Sequence, residues 1–264
     1  MFCALTGKRI CRFIIILLAV CAAAAACPAS ANGEWQKYEL PAGKTSSSPY
    51  MHYWVYTPEN LEPGLPLVVY LHSSSGMINS ALRDEESGLP SLIISGDVPA
   101  PEAIVLVPQH PGLFDDTWSD VLGSVISCVK KVILEYDVDR SRIALTGFSL
   151  GGIGMWDLVV AKPGIFSRLL CIDGRINKLS QRAELFTGCE IRIYTAHKDE
   201  AINTDTLFRF VSQLKEAEIP VTCTELESTH NELPGLVYTD ESVLEWLWLK
   251  KPEEKPDPVM DPAH

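Results

Sequence analysis

The chain has 264 residues, 47% of them hydrophobic and 21% charged, and a formal net charge of −12 at pH 7. An acidic chain with no block of basic residues is excluded as an electrostatic partner of nucleic acid or of an anionic membrane surface. The length and apolar content allow one domain with a substantial core, and no internal repeat or long low-complexity segment divides it.

The N-terminus carries Lys8, Arg9 and Arg12, then the apolar run Phe13 to Cys27, then Pro28-Ala29-Ser30-Ala31. A basic start, an apolar run and a small-residue cleavage pattern predict a secretory signal peptide over 1–31. The run is shorter than the roughly 20 residues a membrane span needs, so a secreted or periplasmic protein with no stable membrane span is expected. Lipoprotein anchoring through Cys21 or Cys27 is the weaker alternative. Leu18-Ala19-Val20-Cys21 lacks a small residue before its cysteine, and Ala24-Ala25-Ala26-Cys27 lacks the leucine. Residues 32–250 are expected to form the domain, and the proline-rich, acidic stretch 251–264 an unstructured tail.

Within the domain, Trp35 to Leu40 and Met51 to Tyr56 predict an opening antiparallel pair joined by a Gly, Ser and Pro connection. Strand signals follow at Leu65 to Leu71, Ala103 to Val107, Arg142 to Thr146, Arg168 to Ile172, Glu190 to Thr195 and Val221 to Leu226. Most are unbroken Val, Ile and Leu runs, the signature of strands buried on both faces. Helix signals lie near Ala81 to Ile94, Leu122 to Tyr136, Ile153 to Val160, Leu179 to Phe186, Thr204 to Ala217 and Asp240 to Lys250. This alternation predicts an α/β protein with a mostly parallel eight-stranded sheet flanked by helices and ligands at the carboxyl ends of the strands. Cys128, Cys171, Cys189 and Cys223 are the cysteines beyond residue 31, and they fall in or beside predicted elements, where small buried hydrophobes are expected. Neither C-x-x-C nor H-E-x-x-H spacing occurs, so neither a metal nor another cofactor is expected.

The strand signal at Arg142 to Thr146 breaks into Gly147-Phe148-Ser149-Leu150-Gly151, a G-x-S-x-G pattern between a strand and a helix. A serine hydroxyl is a poor nucleophile. Such an elbow exposes it on a tight turn and aims the N–H groups of the next helix at it, favouring developing negative charge. Glycines are needed on both sides, where side chains would collide.

This run, continuing Gly152-Ile153-Gly154-Met155-Trp156-Asp157, resembles the α/β-hydrolase superfamily and, within it, the secreted esterases related to feruloyl esterases, polyhydroxybutyrate depolymerases and "predicted peptidases". Pro108-Gln109, Trp118, Val138-Asp139, Pro163 with Phe166, and Thr229-His230-Asn231 are similar to that group's pattern as well. The resemblance implies an α/β-hydrolase fold with no large cap domain, since Arg175 to Gly188 leaves room for one helix and the site should be open. It also implies the chain order serine, acid, histidine. Of six histidines, His52, His72 and His110 precede Ser149, His264 ends the tail, and His197 shares a turn with the favoured acid; His230 remains as the base. Asp199 occupies the place the related esterases fill in their H-G-x-x-D segment, here Thr195-Ala196-His197-Lys198-Asp199, and is the favoured acid. Asp173, at the end of the preceding strand, is the alternative.

The implied oxyanion hole takes the Leu150 N–H and a donor from His72-Ser73-Ser74-Ser75-Gly76, with Ser73 and Ser74 the candidates. Ser73 stands where the related enzymes prefer glycine; its hydroxyl would either crowd the substrate oxygen or add a donor. His72 is expected to brace this loop. Trp118 and His72 are candidates for the substrate pocket, with packing over the core equally open for Trp118; Trp156 is expected in the core. The expected function is a secreted serine carboxylic ester hydrolase that acts through an acyl-enzyme on small or polymer-linked esters, acylated polysaccharide among them. A serine peptidase and a catalytically inactive binding module are the alternatives. Peptidases of this fold generally add a gating domain, and Ser73 and Ala196 both replace expected glycines.

Overall fold

The computed structural model describes residues 33–41, 50–84, 87–112, 116–197 and 205–249; the expected signal peptide, the expected tail and Asp199 lie outside the described residues. Among the described residues eight strands form one sheet: β1 (Gly33–Pro41), β2 (Tyr50–Pro58), β3 (Leu67–Leu71), β4 (Ile104–Pro108), β5 (Ile143–Phe148), β6 (Arg168–Ile172), β7 (Glu190–Ala196) and β8 (Val221–Leu226). Their order is β1-β2-β4-β3-β5-β6-β7-β8, with β2 antiparallel to both β1 and β4 and the remaining pairs parallel. Every residue of β3, β4 and β5 is buried, as their β-branched and leucine-rich sequences require of strands covered on both faces.

Alternation along each strand divides the core into two layers. Val69, Leu106 and Leu145 face α3 (Leu122–Glu135), α4 (Leu150–Ala161) and α5 (Asp205–Glu216). Val68, Tyr70, Val105 and Leu170 face α2 (Leu89–Ser95), α6 (Leu233–Tyr238) and α7 (Glu241–Leu247). Trp156 of α4 is fully buried and packs edge-on against Phe186 and Phe210, both at 5.7 Å between ring centroids. Contacts of this kind add about 0.5–1.5 kcal/mol each to the burial itself. Cys128, Cys171 and Cys189 are buried free thiols and Cys223 is partly buried. Among the described residues no helix is long and apolar enough to cross a membrane.

Several helical segments differ from the sequence expectation, among them the short α-helix Ser75–Ile78 and the 3-10 turn Trp118–Asp120, for which no helix was expected. Ala81 to Ile94 is split into a 3-10 turn, Ala81–Arg83, and α2. Leu179 to Phe186 forms only the 3-10 turns Lys178–Ser180 and Ala183–Phe186, because Asn177 and Ser180 are tied to Asp157 of α4 by side-chain hydrogen bonds. Helix α6 was not foreseen, since Pro234-Gly235 suppresses its periodic signal. Just before it, the Thr229 N–H and hydroxyl both donate to the carboxylate of Glu232, the residue that precedes α6, at 3.0 and 2.8 Å. The stretch between β6 and β7 carries no domain-sized insertion.

The turn after β3 leads into α1 (Ser75–Ile78) and is held by buried polar groups. His72 is fully buried; its Nδ1 donates to the Ser73 carbonyl at 2.7 Å and its Nε2 accepts the His110 N–H at 2.9 Å. Trp118, also buried, donates its indole N–H to the His72 carbonyl at 3.1 Å and packs its ring edge-on to both His72 and His110. Burial pushes the His72 imidazole down to about 4, against the opposing pull of Asp84 and of the Ser73 carbonyl. Because this lies below the unfolded value near 6.5, acid supplies a proton that the unfolded chain binds and the folded chain refuses; stability is lost as pH falls from about 6.5 towards 4. We predict that the melting temperature drops by several degrees across that window in the wild type and by clearly less in His72→Asn, whose amide can still reach the Ser73 carbonyl. Thermal unfolding at four or five pH values checks this, and equal slopes in the two proteins would refute it.

Candidate active site

Strand β5 runs into Ser149, which stands at φ +53 and ψ −115 immediately before α4. A non-glycine residue rarely adopts positive φ, and the conformation is held by the Ser149 N–H donating to the Ile172 carbonyl and its carbonyl accepting from Ile153, at 2.9 and 3.0 Å. The flanking glycines are sterically required. A Cβ on Gly147 would lie 2.5 Å from the carbonyl carbon of Gly151, and one on Gly151 would lie 1.9 Å from the Leu71 oxygen. That second contact seats the first turn of α4 directly against the end of β3 and the loop that follows it.

His230 sits in the loop between β8 and α6, with its ring 4.7 Å from that of Phe148 and its side chain 28% exposed. Its Nε2 is 3.0 Å from the Ser149 Oγ, and its Nδ1 is 3.0 Å from Oδ2 of Asp173. A carboxylate oxygen accepts, so Nδ1 carries the proton and Nε2 is left to accept from the serine hydroxyl. This is the orientation in which an imidazole can take a proton from Ser149.

Asp173 is 1% exposed and follows β6 directly. It too has positive φ, +47. Its N–H donates to the Tyr194 carbonyl at 2.9 Å, and its Oδ1 accepts the Ala196 N–H at 3.2 Å. Gly174 lets this turn press against α4: a Cβ there would meet the Gly152 carbonyl carbon at 2.5 Å. The carboxylate brought to His230 is thus that of Asp173, the alternative in the sequence reading; Asp199, the residue favoured by the sequence, lies outside the described residues. Strand β6 is the neighbour of β5, so the residue that follows it lies beside the turn that carries the serine.

The remaining sequence candidates divide. Leu150 begins α4 and Ser74 lies in the loop after β3; neither N–H has an acceptor among the described residues. Ser73 departs from both readings made of it. Its N–H and its hydroxyl donate to the two carboxylate oxygens of Asp84, each at 2.6 Å, so the side chain points into the protein instead of at a substrate. Trp118, 1% exposed, and His72, fully buried, form the bracing under that loop, and the structure does not make them pocket walls. Ala196, the other departure from glycine, contributes the N–H that holds Asp173. Asp84 was not found from sequence, and no motif marks it.

No family model and no curated protein matches this sequence. The fold is similar to that of a thermostable esterase, at TM-score 0.64 and 21% identity over 81% of this chain and 62% of that one. The chain therefore spans under two thirds of that esterase's length. An S-formylglutathione hydrolase from Agrobacterium tumefaciens is similar at TM-score 0.62 and 14% identity, over 85% of this chain and 97% of that one. A ferulic acid esterase is similar at TM-score 0.56 and 14% identity, over 81% and 97%. At such identities the likeness speaks for architecture. The sheet order, the parallel strands with an antiparallel start, and the serine elbow after β5 agree with it: the chain has the α/β-hydrolase fold.

Proposed function

We propose that the protein is a serine carboxylic ester hydrolase with Ser149 as nucleophile, His230 as general base and Asp173 as the acid that orients it. The observation that carries the reading is the continuous hydrogen-bonded line from Ser149 through His230 to Asp173, with both links at 3.0 Å. His230 takes the serine proton as Oγ attacks the ester carbonyl, and Asp173 keeps the imidazole in the required tautomer and stabilises the imidazolium that forms. The carbonyl oxygen, now carrying negative charge, accepts the N–H groups of Leu150 and of the loop after β3. His230 then protonates the departing alcohol, and a water activated by the same imidazole releases the acid from Ser149.

The similarity across 97% of a ferulic acid esterase and of an S-formylglutathione hydrolase supports an ester or thioester as the bond cleaved. An open site without a cap between β6 and β7 suits esters carried on bulky or polymeric material, and export through the segment 1–31 would bring the enzyme to such material.

The first test is labelling with a fluorophosphonate followed by mass spectrometry, together with turnover of p-nitrophenyl esters from acetate to octanoate and of methyl ferulate. The expected result is a single label on Ser149 and ester turnover. A protein that takes no label is a binding module, and one that labels but cleaves only amides is a peptidase. Ser149→Ala and His230→Ala should each lower kcat to less than about a hundredth of wild type, since nucleophile and base act as one unit.

Asp173→Asn should lower kcat strongly by favouring the wrong histidine tautomer, whereas Asp199→Asn should stay near wild type. The opposite pattern in the two kcat values would move the acid to the loop after β7. Activity should also rise along a single limb as the pH rises through the range where imidazole loses its proton, because protonated His230 cannot accept from Ser149. A kcat/KM profile that stays flat from pH 5 to 8 would remove His230 from the role of base.

A further inference from the structure

The residue that replaces glycine after His72 is wired to a buried carboxylate that the ester-hydrolase reading does not use. Asp84 is fully buried just beyond the 3-10 turn Ala81–Arg83. Its Oδ2 accepts from the Tyr70 hydroxyl at 2.7 Å and from the Ser73 N–H at 2.6 Å. Its Oδ1 accepts from the Ser73 hydroxyl at 2.6 Å and from the Ser75 hydroxyl at 2.8 Å. The Ser73 oxygen also receives the Ser75 N–H at 3.2 Å. On the other side of the same residue the Ser73 carbonyl is held by His72. Residue 73 is therefore fixed through its N–H, its hydroxyl and its carbonyl, all to buried partners.

That fixing has a direction. Short hydrogen bonds to a carboxylate are among the strongest a backbone N–H can make, and a buried carboxylate deprived of its donors is costly, so the loop and Asp84 hold each other. The Ser73 N–H is turned into the protein. The next N–H along the loop, that of Ser74, has no acceptor among the described residues. The loop that bears it packs through the Leu71 and His72 carbonyls against Gly151, one residue beyond Leu150, whose N–H is likewise without an acceptor among the described residues. We propose that Asp84 is a positioning residue for the oxyanion hole: it draws the Ser73 N–H inward and so presents the Ser74 N–H beside that of Leu150 as the second donor. The serine in place of glycine is what lets the side chain as well as the backbone be gripped. This inference rests on the ester-hydrolase reading above.

A donor fixed before charge develops needs no rearrangement in the transition state, whereas a loosened loop must find its geometry during each turnover. The consequence falls on kcat, since the substrate carbonyl carries little charge in the ground state. The test compares wild type with Asp84→Asn, Ser73→Ala and Tyr70→Phe on p-nitrophenyl acetate. Kcat is expressed per Ser149 titrated by fluorophosphonate, and the affinity of a trifluoromethyl ketone, which leaves an oxyanion on its serine adduct, is measured alongside. Asp84→Asn should lower kcat per titrated site by about ten- to a thousandfold, the range for losing one oxyanion donor, with KM within about threefold of wild type. Ser73→Ala and Tyr70→Phe each remove one hydrogen bond to Asp84 and should lower it by about two- to tenfold. Ketone affinity should fall in parallel with kcat across the set. If Asp84→Asn does not fold, the two milder variants decide.

A purely structural role would lower the melting temperature and the number of titratable sites while leaving kcat per site and ketone affinity unchanged. That result in the folded variants overturns the inference while the ester-hydrolase reading stands. A wild-type protein that neither labels on Ser149 nor turns over any ester overturns that reading, and this inference with it.

Discussion

The site depends on two backbone contacts that leave no space for a Cβ, one on each side of the first turn of α4. Gly151 lies against the Leu71 carbonyl at the end of β3, and Gly152 lies against Gly174 in the turn after β6. Through them the helix that follows Ser149 is wedged between the loop after β3 and the turn carrying Asp173. An alanine at position 151 would place its methyl 1.9 Å from the Leu71 oxygen, a separation no packing adjustment absorbs. Helix and strand ends would have to separate, and the distances from Ser149 to its partners would open together.

Around this wedge the protein concentrates strain and buried polarity. Ser149 and Asp173 are both held at positive φ, a conformation that costs of order 1–3 kcal/mol for a residue with a side chain. Each is held by hydrogen bonds to a neighbouring strand: Ser149 to Ile172 of β6, Asp173 to Tyr194 and Ala196 of β7. The sheet thus supplies the rigidity that lets two adjacent strand ends turn their side chains towards one imidazole. His230 comes from outside this framework, on a loop fixed by the start of α6 and by contact with Phe148.

The polar residues beneath the loop after β3 follow the same logic. His72, Trp118, Tyr70 and Asp84 are buried, and each meets a hydrogen-bonding partner within a few residues of the loop. Burying such groups without partners would cost several kcal/mol, so their presence under one short loop gives that loop a single backbone conformation. The His72 ring stays neutral there because water is excluded, which makes the brace sensitive to acid even though it takes no proton from substrate.

Much of this was legible in the chain itself. Unbroken Val, Ile and Leu runs mark the strands, the period switches to helical between them, and G-x-S-x-G at the junction of strand and helix marks the elbow, because steric demands on a tight turn are local and leave their trace in adjacent residues. His230 could be reached by its place after the last strand. What the sequence could not supply was lateral distance. That Asp173 meets His230 depends on the adjacency of β5 and β6 and on how closely Gly174 lets its turn approach α4. The orientation of Ser73 depends on Asp84, a residue eleven positions away with no motif around it. Trp118 looked equally fit to line a pocket or to fill the core until the loop it supports was in place. Local steric and periodic rules are carried by neighbours in the chain; the partners of buried polar groups are chosen by tertiary packing, which brings together residues whose separation in sequence says nothing of their separation in space.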